Sequence, residues 1–450
     1  MNIIISVPFV RNIRHSLSIP FTSELKKYGK LIIVCPFKLS EADLDFLKLH
    51  DVEFISLDYE FNGFHKFLFN ISDYLRRAGY FGNKKIYGMP YLFKNLFLKR
   101  NPSGNLERLS NLIQYNIIIS SIVFRNKNIW RLFETFIFKL ARHNTGKINK
   151  LASLQNVIYF QSANWGLQDR LLCNFAIKKK WKSVLIPYTT DQVHATGHML
   201  KEHNVYAVQS ELEKQYAISL HNIKEEKIQI IGSIWYRQID NILKKRSKFI
   251  DINPKATAKR ILYSGMSDIF FPRFTEINCV KNIAEVFTDC EIKYCPYVEG
   301  DRFNSLVEKF KHLKNVEILP FQSGMTEFAS TGRNTIEKDM YNHIEKLKDI
   351  DVFVMSHETS MSTEANYVSD CPIIANFIDD FGILEKRNIK EYPKWWQGKE
   401  LISVYTQKEL TNAIKLSLNN KPNTQSKKPY LYWDNEINLK HAIKKVMDKL

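Results

Sequence analysis

Apolar runs of strand length alternate with amphipathic runs of helix length along most of this chain. No other feature constrains the fold as much. "NIIISVPFV" reads as a strand, "SIPFTSELKKYG" as a helix stopped by Gly29, and "KLIIVCPF" as a second strand. "SEADLDFLKLH" then reads as a capped helix and "VEFISLDY" as a third strand. A β-α-β-α-β order implies a parallel sheet wrapped by helices, because a parallel neighbour is reached only through a crossover about as long as a helix.

A region of long helical patterns interrupts the rhythm over residues 61–150. It resumes with strand "VIYFQSA", helix "QDRLLCNFAIKKK", strands "SVLIPYT" and "VYAVQS", helix "ELEKQYAISL" and strand "KIQIIGS". A second series starts near residue 259 with strand "KRILYSG". It continues as helix "FTEINCVKNIAEVF", strand "EIKYCPY", helix "FNSLVEKFKHL", strand "VEILPF" and helix "DMYNHIEKLKD". Strand "VFVMS", helix "SMSTEANYVS", strand "PIIANF" and the late helix "QKELTNAIKLSLNN" follow. With 450 residues the chain exceeds one ordinary core. The expected fold class is therefore α/β, with two Rossmann-like doubly wound parallel-sheet domains facing across a cleft. We expect an N-terminal domain over 1–245, a C-terminal domain over 259–420 and a helical tail over 421–450. The polar segment "KKRSKFIDINPKATAK", containing Pro254, reads as the linker.

Composition narrows the function classes. The chain is 44% hydrophobic and 25% charged, a globular mix. No apolar run reaches the roughly 18 residues of a membrane span. "MNIIISVPFV" has neither a basic start nor a small-residue cleavage site, so it reads as a first strand and not as a signal peptide. The six cysteines form no CxxC pair, and Cys290 and Cys295 have no partner at metal spacing. A reduced, cytoplasmic protein with no metal centre and no cofactor is the expectation.

The formal net charge is +18, unevenly placed. Residues 61–150 hold 16 Lys and Arg against three acids, Asp73, Glu107 and Glu134. Aromatic residues are interleaved, as in "FHKFLFNISDYLRRAGYF" and "IVFRNKNIWRLFETFIFKLARH". Three readings fit: helices with an apolar core face and a basic solvent face, contact with an anionic membrane surface, and, last, nucleic acid.

Ligands of open parallel sheets bind beyond the carboxyl ends of strands, and three ends in the second series draw attention. In "LYSGMSDIFFPR", Gly265 lets backbone N–H groups approach a phosphate, with Ser267 and Arg273 nearby; a plain tight turn is the alternative. In "VEILPFQSG", Phe321 is a candidate to stack a base or to pack in the core. The third end is "DVFVMSHETSMSTEANYVSDCPIIANFIDD". Ser360, Ser362 and Thr363 fall at a helix start, where free N–H groups and the positive end of the dipole favour a diphosphate. Glu364 stands ready to accept sugar hydroxyls, or to favour the first helical turn. Asp379 and Asp380 lie past the following strand.

This last segment resembles the donor site of glycosyltransferases with two Rossmann domains, the GT-B architecture. Ser362, Glu364, Ala365 and Pro372 match the pattern, and His357 stands at its histidine. "VYAVQSELEKQYAISLHNIKEEKIQIIGSIWYRQID" is similar to the end of the N-terminal domain in the same group. The resemblance implies a glycosyltransferase of bacterial surface-glycan type. Its partners would be a nucleotide-sugar donor on the C-terminal domain and a glycan or lipid-linked acceptor on the N-terminal one. No obligatory metal is expected, and the basic, aromatic residues 61–150 would place the enzyme on the cytoplasmic face of an anionic membrane. His15, before Pro20, resembles the base of many such transferases; Asp191 and His194 in "PYTTDQVHATGH" are the alternatives. A nucleotide-sugar 2-epimerase or polyol-phosphate transferase of the same fold is the second reading, and a basic nucleic-acid-binding protein the third.

Overall fold

The computed structural model describes residues 1–8, 13, 16–57, 68–69, 126–140, 150–162, 167–187, 193, 199, 202–246, 258–266, 271–297, 301–320, 336–356, 359, 361–378, 401–419 and 437–450. The first series comprises β1 (Asn2–Ser6), α1 (Ile19–Lys26), β2 (Lys30–Cys35), α2 (Glu41–Leu49), β3 (Glu53–Ser56) and α3 (Lys127–Leu140). It continues through β4 (Val157–Gln161), α4 (Leu167–Lys178), β5 (Lys182–Leu185), β6 (Val205–Val208), α5 (Glu211–His221), β7 (Ile228–Ile230) and α6 (Ile234–Arg246). The second comprises β8 (Arg260–Ser264), α7 (Arg273–Val286), β9 (Glu291–Cys295), α8 (Asp301–Phe310), β10 (Val316–Ile318) and α9 (Ile336–Leu347). After these come β11 (Val352–Ser356), α10 (Met361–Ser369), β12 (Ile373–Asn376), β13 (Leu401–Val404), α11 (Gln407–Asn419) and α12 (Leu439–Asp448).

Each series makes one sheet in which the described strand pairs are parallel. The orders are β3-β2-β1-β4-β5-β6-β7 and β10-β9-β8-β11-β12-β13. Both therefore reverse direction beside their first strand, between β1 and β4 and between β8 and β11, and this is the doubly wound arrangement expected from the sequence. Register follows the pleat: Ile3 pairs with Leu31 on one side and Ile158 on the other. Ile3 and Ile5 join the layer that holds Phe21 and Leu25 of α1. Ile4 faces the opposite layer, with Leu172 and Ala176 of α4. Helices on both faces are why the strands read as unbroken apolar runs and not as alternating ones.

Local chemistry sets the element ends. Ser40 and Ser210 accept the backbone N–H groups of Asp43 and Glu213, capping α2 and α5. A Cβ on Gly29 would sit 2.2 Å from the Met1 carbonyl oxygen, so glycine allows β2 to begin beside β1.

Two features lie outside the sequence rhythm. Helix α6 runs on through Lys244–Arg246, which the sequence pattern assigned to the linker. Helix α12 returns from the second series to the first: Leu439, Ile443 and Val446 join the same layer as α1. Lys449 then donates to the carbonyls of Glu226 and Ile228.

Much of the 61–150 region lies outside the described residues, but α3 shows how it is tied down. Trp130, Ile137 and Phe138 are buried, and so is Glu134. Glu134 forms an ion pair with Arg170 of α4, both side chains almost fully buried. Arg170 also lies 4.5 Å from the ring centroid of Phe69. Leu132 and Phe136, one turn apart, are exposed. Among the described residues no helix is long and apolar enough to cross a membrane. Glu134→Ala would remove the buried ion-pair partner of Arg170. A loss of about 3–5 kcal/mol is expected, read from the urea midpoint. Leu132→Ala should change stability by less than about 0.5 kcal/mol.

Candidate active site

Ser362, Thr363 and Glu364 come together at the N-terminus of α10, and all three are buried. Ser362 donates its hydroxyl to the Thr359 carbonyl at 2.7 Å. Thr363 and Glu364 turn towards α6. The Tyr236 hydroxyl donates to Thr363 Oγ1 at 2.9 Å, and the Trp235 indole N–H donates to Glu364 Oε1 at 2.8 Å. His343 Nε2 of α9 meets Glu364 Oε2. One turn further along both helices, the Tyr367 hydroxyl donates to Asp240. The carboxylate is thus gripped by two ring nitrogens on elements packed against the first sheet.

The loop after β8 is built on a carboxylate of the protein itself. Glu276, on α7, is fully buried. Its Oε2 accepts from the Met266 N–H at 3.0 Å, and its Oε1 takes the Tyr294 hydroxyl and the Arg273 guanidinium. Arg273 also donates to the carbonyls of Met266 at 2.7 Å and Tyr297 at 3.3 Å. Burial pushes the Glu276 carboxyl up, with Arg273 the strongest opposing influence. A Cβ on Gly265 would lie 2.3 Å from Glu276 Oε1, so glycine here makes room for the carboxylate. The polar floor continues across the strand ends: Tyr263 OH and Ser356 Oγ are 2.8 Å apart, and Asn376 Nδ2 donates to Tyr263 OH at 2.8 Å.

The first sheet has a counterpart between β1 and β4. Asp169, in the first turn of α4, is buried. It accepts from Ser6 at the end of β1 and from Gln161 Nε2 at the end of β4, the latter at 2.7 Å. Tyr159 OH reaches Ser6 Oγ at 3.0 Å. Burial outweighs these bonds and raises the Asp169 carboxyl to about 7. Beside this network opens a narrow cleft whose walls include Ile5, Phe21, Phe160, Gln161, Ser162 and Trp235. It lies beyond the carboxyl ends of the strands, where a doubly wound sheet takes its ligand.

Of the residues singled out from the sequence, Gly265, Arg273, Ser362, Thr363 and Glu364 are described. His15, Asp191, His194, Ser267, Phe321, His357, Ser360, Asp379 and Asp380 lie outside the described residues. His221 of α5 holds the backbone of Val193 and Met199. Its Nδ1 accepts from the Met199 N–H, so its Nε2 carries the proton and donates to the Val193 carbonyl at 2.5 Å. Sequence reasoning passed over Trp235, Tyr236, His343, Glu276 and Asp169. Asp169 and Glu276 share a signal: each is an acid in the first turn of the helix after a strand at a switch point. Trp235 and His343 give none, since their role exists only once the two sheets are apposed.

Two tests follow from this geometry. Gly265→Ala is expected to cost about 1–3 kcal/mol of stability, because Glu276 is held from three sides and cannot yield freely. The Asp169 carboxyl lies above the ordinary aspartate value, so the folded chain keeps a proton that the unfolded chain releases. Its stabilising contribution is full below roughly pH 4 and is lost as the pH rises through about 7. The difference in unfolding free energy between wild type and Asp169→Asn should therefore change across that interval and level off above it. A pH-independent difference would contradict the assignment.

No family model matches the chain, and no curated protein is significantly similar to it. Solved structures do resemble it. A UDP co-structure of MnaA from S. aureus is 10% identical with a TM-score of 0.54, over 100% of this chain and 97% of that one. The UDP-N-acetylglucosamine 2-epimerase of Rickettsia bellii is 12% identical with a TM-score of 0.53, over 100% and 96% of the two chains. At such identities the likeness is one of fold: two doubly wound α/β domains in the GT-B arrangement.

Proposed function

We propose that this chain is an enzyme acting on nucleotide sugars, and that it transfers the sugar to a hydroxyl of a glycan or lipid-linked acceptor. The observation that carries this reading is Glu364. It is a carboxylate in the first turn of α10, just past the switch-point strand β11, on the side facing the cleft of the first sheet. The N–H groups and positive end of α10 would receive the diphosphate, and Glu364 would accept donor hydroxyls. The acceptor would enter the cleft beside Gln161 and Trp235. His15, or Asp191 or His194, would take its proton. Arg273 is engaged by Glu276, so in this reading it shapes the phosphate loop instead of touching phosphate. Charge on the departing nucleotide would be met by N–H groups, without an obligatory metal. The basic, aromatic region 61–150, with Leu132 and Phe136 exposed on α3, would hold the enzyme at an anionic membrane on its cytoplasmic face. Assembly of a surface polysaccharide or lipid glycan fits those properties.

A 2-epimerase is the second reading, favoured by the fold shared with the UDP-N-acetylglucosamine 2-epimerase of Rickettsia bellii. Nucleotides and nucleotide sugars screened by thermal shift distinguish the cases. A matching donor at about 100 times its Kd should stabilise the wild type by about 2.7 kcal/mol, and Glu364→Gln should lose most of that gain. Release of nucleotide only with acceptor present indicates transfer; an isomerised nucleotide sugar without acceptor indicates epimerisation. No stabilisation by any nucleotide or nucleotide sugar would overturn both.

A further inference from the structure

Trp235 belongs to two places at once. Its ring is a wall of the first sheet's cleft, and its indole N–H holds Glu364 of α10 at 2.8 Å. The side chain is 3% exposed, so the bond is made away from water. His343 holds the other carboxylate oxygen, and its ring centroid lies 5.9 Å from that of Trp235. The next residue, Tyr236, repeats the pattern on Thr363. Residues 235 and 236 therefore hold 364 and 363, and residue 240 holds 367 one turn on. An indole is rigid, with two side-chain torsions, so its ring face cannot be displaced without moving its N–H.

We infer that Trp235 is a positioning residue for Glu364, through which occupancy of the first sheet's cleft reaches the carboxylate on the second. The inference rests on the donor role proposed above for Glu364. A group packed against the ring in the cleft holds the N–H on Oε1 and keeps the carboxylate aimed at the donor. With the N–H removed, Oε1 loses the bond that ties it to α6, while His343 stays on Oε2. By reciprocity, a nucleotide sugar that engages Glu364 also acts on the indole and hence on the cleft.

The test uses the full chain labelled with 15N at its indoles. The Trp235 signal is the one missing from Trp235→Phe, a variant that keeps a ring on the cleft wall and deletes only the donor. In the ligand-free protein, Glu364→Gln should shift that signal, because an N–H bonded to a carboxylate becomes bonded to an amide. UDP-N-acetylglucosamine, the donor probe, should move it in wild type. Trp235→Phe should weaken that probe about tenfold, the size of one lost hydrogen bond to a charged group. An indole signal unmoved by Glu364→Gln overturns the inference, whatever the donor proves to be. So does tighter binding by Trp235→Phe, which would make the indole a competitor for the carboxylate. If the probe does not bind wild type, the choice of donor fails, and the ligand-free comparison alone decides the role of Trp235.

Discussion

The seam between α6 and α10 is the contact on which the site depends. Trp235, Tyr236 and Asp240 on one helix meet Glu364, Thr363 and Tyr367 on the other. Hydrogen bonds excluded from water fix direction more strictly than apolar packing, which tolerates sliding. The α6–α10 pairs thus register the carboxyl ends of one sheet against those of the other. Helix α12 closes the arrangement from behind by returning to the layer of α1. Arg237 of α6 donates to the Ile437 carbonyl, just ahead of that return.

Each sheet carries a buried acid at its switch point, and the two acids work alike. Asp169 ties Ser6 to Gln161, and Glu276 ties the Met266 N–H to Tyr294 and Arg273. Parallel strands end with backbone and side-chain polar groups pointing into a crevice that the flanking helices cover. Those groups need partners, because a buried polar atom without one costs as much as a lost hydrogen bond or more. An acid in the first turn of the next helix supplies several acceptor positions at once. Such floors are stiff, which suits a crevice that must hold a ligand in one orientation.

Much of this was legible in the residues. The β-α alternation gave the two sheets and their parallel sense, because period and length of apolar runs are local properties. "DVFVMSHETSMSTEANYVSD" marked the helix start where Ser362, Thr363 and Glu364 gather. The expectation for "LYSGMSDIFFPR" caught Gly265 but not its neighbour. Nothing local shows that Glu276, eleven residues on, occupies the space a side chain at 265 would need. The same holds for β13 and for α6, whose sequence "IWYRQIDNILKKR" shades into the polar linker.

The sequence by itself determined the fold class, the two-sheet plan and the position of a carboxylate at a helix start. These follow from residue periodicity, turn chemistry and strand length, which act within a few residues. Only the tertiary structure decided what that carboxylate faces. Trp235 stands 129 residues from Glu364 and His343 stands 21 residues from it, on helices whose own patterns carry no trace of the meeting. Their convergence comes from two helix-covered sheets facing each other across one cleft, and a geometric consequence of that kind has no local signature.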